Sequence, residues 1–197
     1  MPKIVDYEAR RREIADKAVS VMVRDGIQET SLGKVADLCG LGRTTLYQYF
    51  SNIDEVVVFT LEDVFGRLDR ETAAVYDDPQ LGAKDKLLRL MEFLERVAVL
   101  DKPKMILVLD FLLHPNRKAP RIDFDVQEHV RRLRAGLERL LVLGVESGEL
   151  KPMNPLSMAF TLFSFIEAAT VHSALYDNIS LESTLSDIRL LIDGLKA

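Results

Sequence analysis

The chain has 197 residues, enough for one large domain or a small domain joined to a larger one. It is 48% hydrophobic and 29% charged, a balance that supports a substantial core and excludes disorder. Net charge is −5, unevenly placed: residues 1–53 hold eight Lys/Arg against seven Asp/Glu, whereas residues 54–197 carry a net −6, so any nucleic-acid contact rests on local charge and not on a broad basic field.

Cys39 is the only cysteine, which excludes an internal disulfide and a cysteine metal cluster. It reads as a small buried apolar group. The start, MPKIVDYEARRREIAD, is polar and lacks the apolar stretch of a secretory signal. No run approaches ~18 uninterrupted apolar residues. A cytoplasmic protein with no membrane partner is expected.

Helical periodicity dominates from end to end. Ile14, Ala18, Val21 and Met22 share one face of a first helix over 8–24, which Gly26 ends. Thr30 or Ser31 caps a second helix with Leu32, Val35 and Ala36 inward. Gly40-Leu41-Gly42 makes a tight joint, and a third helix runs from about Arg43 to Tyr49. Ser51 or Asn52 caps a longer fourth helix to about Tyr76, with Asp54 or Glu55 three residues beyond the cap. Helical patterns recur at about 83–99, 103–114, 123–146, 154–176 and 181–195. Their separators are Asp77-Asp78-Pro79, Asp101-Lys102-Pro103, His114-Pro115-Asn116, Ser147-Gly148-Glu149 and Asp177-Asn178. The expected fold is all-α with about nine helices: a three-helix N-terminal domain over 1–53 and a larger helical domain over 54–197.

Two short amphipathic helices around a glycine joint, over about 31–50, form a helix-turn-helix pattern that can put its second helix into a DNA groove. With Leu46 on the buried face and a step of about 100° per residue, Phe50 shares that face while Thr44 and Gln48 point outward. Gln48 can pair bidentately with adenine, and the Thr44 methyl can meet a thymine methyl. Arg43 suits guanine or a phosphate. Thr45, Tyr47 and Tyr49 lie on the flanks with hydroxyls suited to phosphate. Lys34 is a further phosphate candidate, and the helix start at Ser31 offers free amides to an anion. Arg10-Arg11-Arg12 reads either as an arm for phosphate or minor groove, or as a solvated first turn balanced by Glu8, Glu13 and Asp16.

From Arg10 to about Val64 the chain resembles the N-terminal domain of the TetR family of bacterial transcriptional repressors. The resemblance lies in Ile14, Ala18, Gly26, Thr30-Ser31, Val35-Ala36, Gly40-Leu41, Thr45-Leu46-Tyr47, Tyr49-Phe50 and Asp54-Glu55. It covers about a quarter of the chain at motif level. It implies a homodimer on palindromic double-stranded operator DNA and a ligand cavity in the C-terminal domain. Two positions depart from the family pattern: Gly42 stands where serine or threonine is common, and Ile53 where a phosphate-contacting lysine is common.

In the C-terminal part, 105–113 and 156–171 are apolar nearly all round, a pattern that demands burial. Asp110 interrupts the first, either at a helix edge or as a ligand anchor, and Glu167 interrupts the second. Met91, Met105, Phe111 and Phe163, with Asp110 and Glu167, are the candidate ligand-binding residues, for an apolar or aromatic small molecule. Helices 154–176 and 181–195 are the expected dimer interface, with Leu181, Leu185, Ile188, Leu191, Ile192 and Leu195 at helical spacing. His114, His129 and His172 lack metal-ligand spacing and read as surface or capping residues. Arg131, Arg132, Arg134 and Arg139, beside Glu128 and Glu138, read as a solvated, salt-bridged face.

The expected function is a DNA-binding transcriptional regulator, a repressor released by a small-molecule effector. The alternative is a protein-interaction module of the same fold that does not bind DNA. No enzyme motif, metal site or cofactor motif is present in the sequence, so neither catalysis nor a cofactor is expected.

Overall fold

A computed structural model describes residues 6–113, 124–176 and 180–197. Among these residues there are nine α-helices and no strand beyond an isolated bridge between Leu150 and Lys196. The helices are α1 (Tyr7–Asp25), α2 (Leu32–Cys39), α3 (Arg43–Tyr47), α4 (Ile53–Asp77), α5 (Ala83–Leu100), α6 (Lys102–Leu113), α7 (Val126–Glu146), α8 (Pro155–Leu175) and α9 (Leu181–Gly194). His114-Pro115-Asn116 and Asp177-Asn178, expected as separators, lie outside the described residues.

Local chemistry sets the ends. Asp6, Ser31, Asn52, Asp125, Asn154 and Ser180 each accept a backbone N–H two or three residues into the helix they cap. Asn52 caps α4, and Glu55 reaches back to the Ser51 N–H at 2.7 Å. Gly40 ends α2 at φ +64°, where a side chain would be strained, and its N–H returns to the α2 carbonyls. The third helix is shorter than its periodicity suggests: it ends at Tyr47, and Gln48 closes it with a tight turn back to Thr45.

One cap comes from far away in sequence. Gly82 precedes α5 and has no side chain to cap it. Glu149 fills the role, accepting from the N–H groups of Ala83 at 3.2 Å and Lys84 at 3.1 Å. A Cβ at Gly82 would lie 2.4 Å from the Glu149 carboxylate, so glycine makes room for its own substitute cap. These backbone bonds, that from Lys84 foremost, hold the Glu149 carboxyl below the usual carboxylate range.

A continuous core joins both ends of the molecule, with α4 running through it. Its head-side residues, Val56, Val57 and Leu61, pack with Ile14, Val35 and Leu46; its far-side residues, Val64, Phe65 and Leu68, pack among α5, α6 and α7. α5 lies at the centre of the C-terminal half, touching α4, α6, α7, α8 and α9.

Two apolar helices are less buried than their composition demands. In α6 only Leu107 and Val108 are buried, and Leu113 is 73% exposed. In α8, Ala159, Leu162, Phe163 and Ile166 face inward, but Leu156, Phe160, Phe165, Val171 and Leu175 are open to solvent. By length and composition α8 would also suffice to cross a membrane. Here its inner face packs on α5 and α7. On α9, Leu185, Ile188 and Ile192 are core residues against α5, whereas Leu190 and Leu191 are exposed. The periodic leucine and isoleucine set expected at an interface is therefore divided between core and surface.

Candidate nucleic-acid interface

The outer surface of α3 is built on one buried anchor. Leu46 is 0% exposed and Phe50 nearly so, while Arg43, Thr44, Thr45 and Gln48 are exposed and Tyr47 is 58% exposed. Burial of Leu46 fixes the helix rotation, and a 3.6-residue period then sends Thr44 and Gln48 outward. Gly42 is the N-cap, and it makes no side-chain capping bond. α3 packs on α2, and just beyond its end Phe50 meets Phe59 of α4 edge-on at 5.6 Å, which ties the segment to α4.

Tyr49 is half-buried and stacks on Tyr7 at 5.0 Å between ring centres. The Tyr7 hydroxyl donates to the Gln48 carbonyl at 2.9 Å. The first residue of α1 thus caps the end of α3. Sequence reasoning missed Tyr7 because this contact spans 41 positions and belongs to no local motif. The one local signal was an aromatic residue directly after the Asp6 cap.

Ser31 and Lys34 sit together in the first turn of α2. The Ser31 hydroxyl accepts from the Lys34 N–H at 3.3 Å, and the Lys34 ammonium donates to the Glu29 carbonyl at 2.8 Å. The Arg43 guanidinium lies across this turn, about 3.6 Å from where a Cβ at Gly33 would stand, which is ordinary contact distance. Arg43, Lys34 and the α2 N-terminus therefore converge, an arrangement suited to a phosphate.

The arginine run is not a free arm. Arg10 pairs with Glu13 at 2.5 Å. Arg11 bonds Glu55 at 2.6 Å and lies over the rings of Phe50 and Phe59. Arg12 pairs with Asp63 at 3.3 Å. The partners on α4 were invisible to a balance computed along α1 alone. Ile53, in place of a lysine, is half-buried against the core. Cys39 is also half-buried, and desolvation pushes its thiol pKa up, away from reactive thiolate.

A charged junction links this head to the C-terminal half. Lys104 of α6 bonds Asp16 of α1 at 2.9 Å and lies 3.5 Å from Asp63 of α4. Arg67 bonds Asp101 at 2.5 Å beside it. Burial works to lower the Lys104 pKa, but the bond to Asp16 and the nearby carboxylates outweigh it and raise the value.

Behind the junction lies a cavity of about 40 Å³ among α4, α5, α6, α7 and α8. Val64, Phe65 and Leu68 of α4 form one wall, and Met105, Phe163 and Glu167 also line it. Of the other predicted ligand residues, Met91 is buried core, Phe111 packs at the core margin, and Asp110 is half-buried on α6; none lines the cavity.

His129 backs this wall, against expectation. It stacks between Phe65 and Phe124, both at 4.7 Å, and desolvation then Arg132 lower its pKa. His172 is exposed, and His114 is outside the described residues. Among the arginines of α7, Arg131 and Arg132 pair with Glu128 as a salt-bridged face would. Arg134 and Arg139 instead lie over the rings of Phe160 and Tyr76.

Residues 14–58 match the family described as bacterial regulatory proteins, tetR family. Over its whole length the chain is 28% identical to the HTH-type transcriptional regulator PksA of Bacillus subtilis (strain 168), covering 89% of that protein. The fold is shared with the ketosteroid transcriptional regulator KstR2 of Mycobacterium tuberculosis, at a TM-score of 0.79 and 16% identity over 95% of each chain. It is shared too with AibR, solved in complex with isovaleryl coenzyme A and operator DNA, at a TM-score of 0.69 and 15% identity over 95% of this chain and 98% of that one. Residues 14–58 thus carry the N-terminal domain of the tetR family of bacterial regulatory proteins, and the chain as a whole is similar to helix-turn-helix transcriptional regulators.

Proposed function

We propose that this regulator is a cytoplasmic repressor that binds palindromic operator DNA as a homodimer and is released by a small apolar effector. Residues 1–53 form the DNA-binding part, and 54–197 the effector-binding and dimerisation part. The observation that carries the DNA reading is the complete burial of Leu46 beneath an exposed Thr44 and Gln48. Thr44 and Gln48 read bases, Arg43 reads a base or holds a phosphate, and Ser31, Lys34, Thr45, Tyr47 and Tyr49 hold the backbone.

The occupant of the open face on α8 and α9 is a second copy of this chain. Leu156, Phe165, Val171 and Leu175 on α8 and Leu190 and Leu191 on α9 supply its apolar surface. Pairing there places two copies of α3 about 34–36 Å apart, one duplex turn.

The cavity is the effector site. At about 40 Å³ it is far below the roughly 300–1,000 Å³ of ordinary ligand pockets. An entering molecule must part the helices, and one parted wall is α4, whose other end follows directly on α3. Movement of α4 also strains the junction of Lys104 with Asp16 and Asp63. A coupling of about 1–3 kcal/mol changes operator affinity about 5–150-fold, provided the effector binds the two dimer shapes unequally. AibR, which shares this fold, was solved with isovaleryl coenzyme A, a ligand with a short apolar acyl end.

A mobility shift on the intergenic DNA adjoining the gene tests the reading. The expected result is one shifted species, with Gln48→Ala relaxing base preference and Tyr47→Phe weakening all sites alike. Phe165→Glu is expected to leave a monomer that loses the palindrome. No shift on that DNA, or a palindrome bound equally well by the monomer, overturns it.

A further inference from the structure

The cavity wall carries information about the polar end of its ligand, and reading it rests on the cavity being the effector site. Every lining residue is apolar except Thr170 and Glu167. The Thr170 hydroxyl is already committed, donating to the Ile166 carbonyl at 2.9 Å. Glu167 makes no hydrogen bond or ion pair with any described residue, and it stands at the rim, where α8 meets solvent. In the helical turn it flanks Phe163, one residue round from the buried face.

A more open recess shares Leu112 and Val130 with the cavity and also holds Asp125, Gln127, Glu128, Arg131 and Arg134. Its charges balance. Arg131 is paired with Glu128, which accepts from Arg132 as well. Arg134 is turned toward the Phe160 ring at 6.0 Å. Among the described residues Arg134 has no carboxylate partner there, but it is not a residue of the cavity itself: among the residues that line the cavity none is basic, and the one polar group not already bonded is the Glu167 carboxylate.

We infer that the effector is a mainly apolar molecule whose polar end donates a hydrogen bond to Glu167 — an amine, an alcohol or an amide — and that a free carboxylic acid of the same shape is refused. The physical basis is direct. A carboxylate bound to N–H or O–H gains a charge-assisted hydrogen bond. Two carboxylates brought together in a partly dehydrated site repel, and one must take up a proton or leave. An acyl group carried as an N–H amide passes the same filter, because it bears no charge and has a donor, whereas an ester offers only acceptors.

A matched series tests this on the full-length protein: octylamine, 1-octanol and octanoate, below their micellar concentrations, followed by calorimetry and by release of bound DNA. Octylamine and octanol are expected to bind, with octanoate at least tenfold weaker than octanol. In Glu167→Gln the amine is expected to lose its advantage, and octanoate to come within about threefold of octanol. Octanoate matching octanol in the parent protein, or an unchanged ranking in Glu167→Gln, overturns the end-group assignment. Leu109→Phe, which narrows the cavity, separates this from the underlying reading. If no member of the series binds, or all three bind and Leu109→Phe weakens none, the cavity is not the effector site and the inference falls with it.

Discussion

The two halves of the molecule use apolar surface in opposite ways. In the head, α1 to α3 turn their apolar residues onto a shared core at Ile14, Val35 and Leu46, and the residues proposed to work are polar and outside. In the C-terminal half, α6 and α8 are mostly apolar, and the residues proposed to work are largely apolar themselves. Some line a cavity, and others wait on an open surface. A DNA-reading surface needs a rigid support and a wet exterior. An effector site needs walls that can part, and walls part where apolar contacts are incomplete. The difference predicts that substitutions in the head act through seating of α3, whereas those in the C-terminal half act through movement.

The sharpest way to break this contrast is Leu46→Ala. The side chain is fully buried in the shared core, so about 2–5 kcal/mol of stability is expected to be lost. Denaturant titration measures it, and operator binding should fall in step. A loss below about 1 kcal/mol would show that the head tolerates a gap and is not the rigid support described.

Glu149→Ala is the counterpart in the C-terminal half. It uncaps α5 and is expected to cost about 1–2 kcal/mol. The pH dependence follows from the lowered Glu149 pKa. The stabilisation is fully present above the ordinary carboxylate pKa of about 4.3 and is lost as pH falls through the lower, folded value. Comparing parent and Glu149→Gln from pH 7 downward, the stability gap should narrow in acid. A gap that stays constant or widens there would contradict the capping role.

Tyr7→Phe is expected to be smaller and more selective. It removes the bond to the Gln48 carbonyl and keeps the stack on Tyr49. About 0.5–1 kcal/mol should be lost from operator affinity, roughly two- to fivefold. The useful readout is base preference opposite Gln48, which should relax while the melting temperature barely moves. Equal weakening of every DNA sequence would assign Tyr7 to general stability alone.

Much of this was legible in the sequence where local rules decide. The Gly40 turn, the Asn52 cap and the outward course of Thr44 and Gln48 follow from glycine conformation, capping and helical period. What depends on distant partners was not. Tyr7 meets Gln48, Arg11 meets Glu55, and Glu149 caps α5 across separations of 41 to 66 residues, and none leaves a periodic trace. Composition also overstated the burial of α6 and α8, because apolar character does not distinguish a core face from a cavity wall or an open surface. The candidate ligand residues divided for the same reason: Met105, Phe163 and Glu167 line the cavity, while Met91 serves the core.

The smallest expected effect concerns Ile53, where the two halves meet. As the first residue of α4 it stands near the α3 exit and is half-buried, so its side chain covers apolar surface instead of reaching toward a phosphate. Lysine there can keep its aliphatic stem on that surface while the ammonium extends to solvent. One added phosphate contact should steepen the slope of log affinity against log salt by about one unit per monomer. Base preference should stay the same, because a phosphate contact positions the protein without reading sequence. An unchanged slope in Ile53→Lys would mean that this end of α4 does not approach the DNA backbone, and the proposed seating of the head on its operator would have to be turned accordingly.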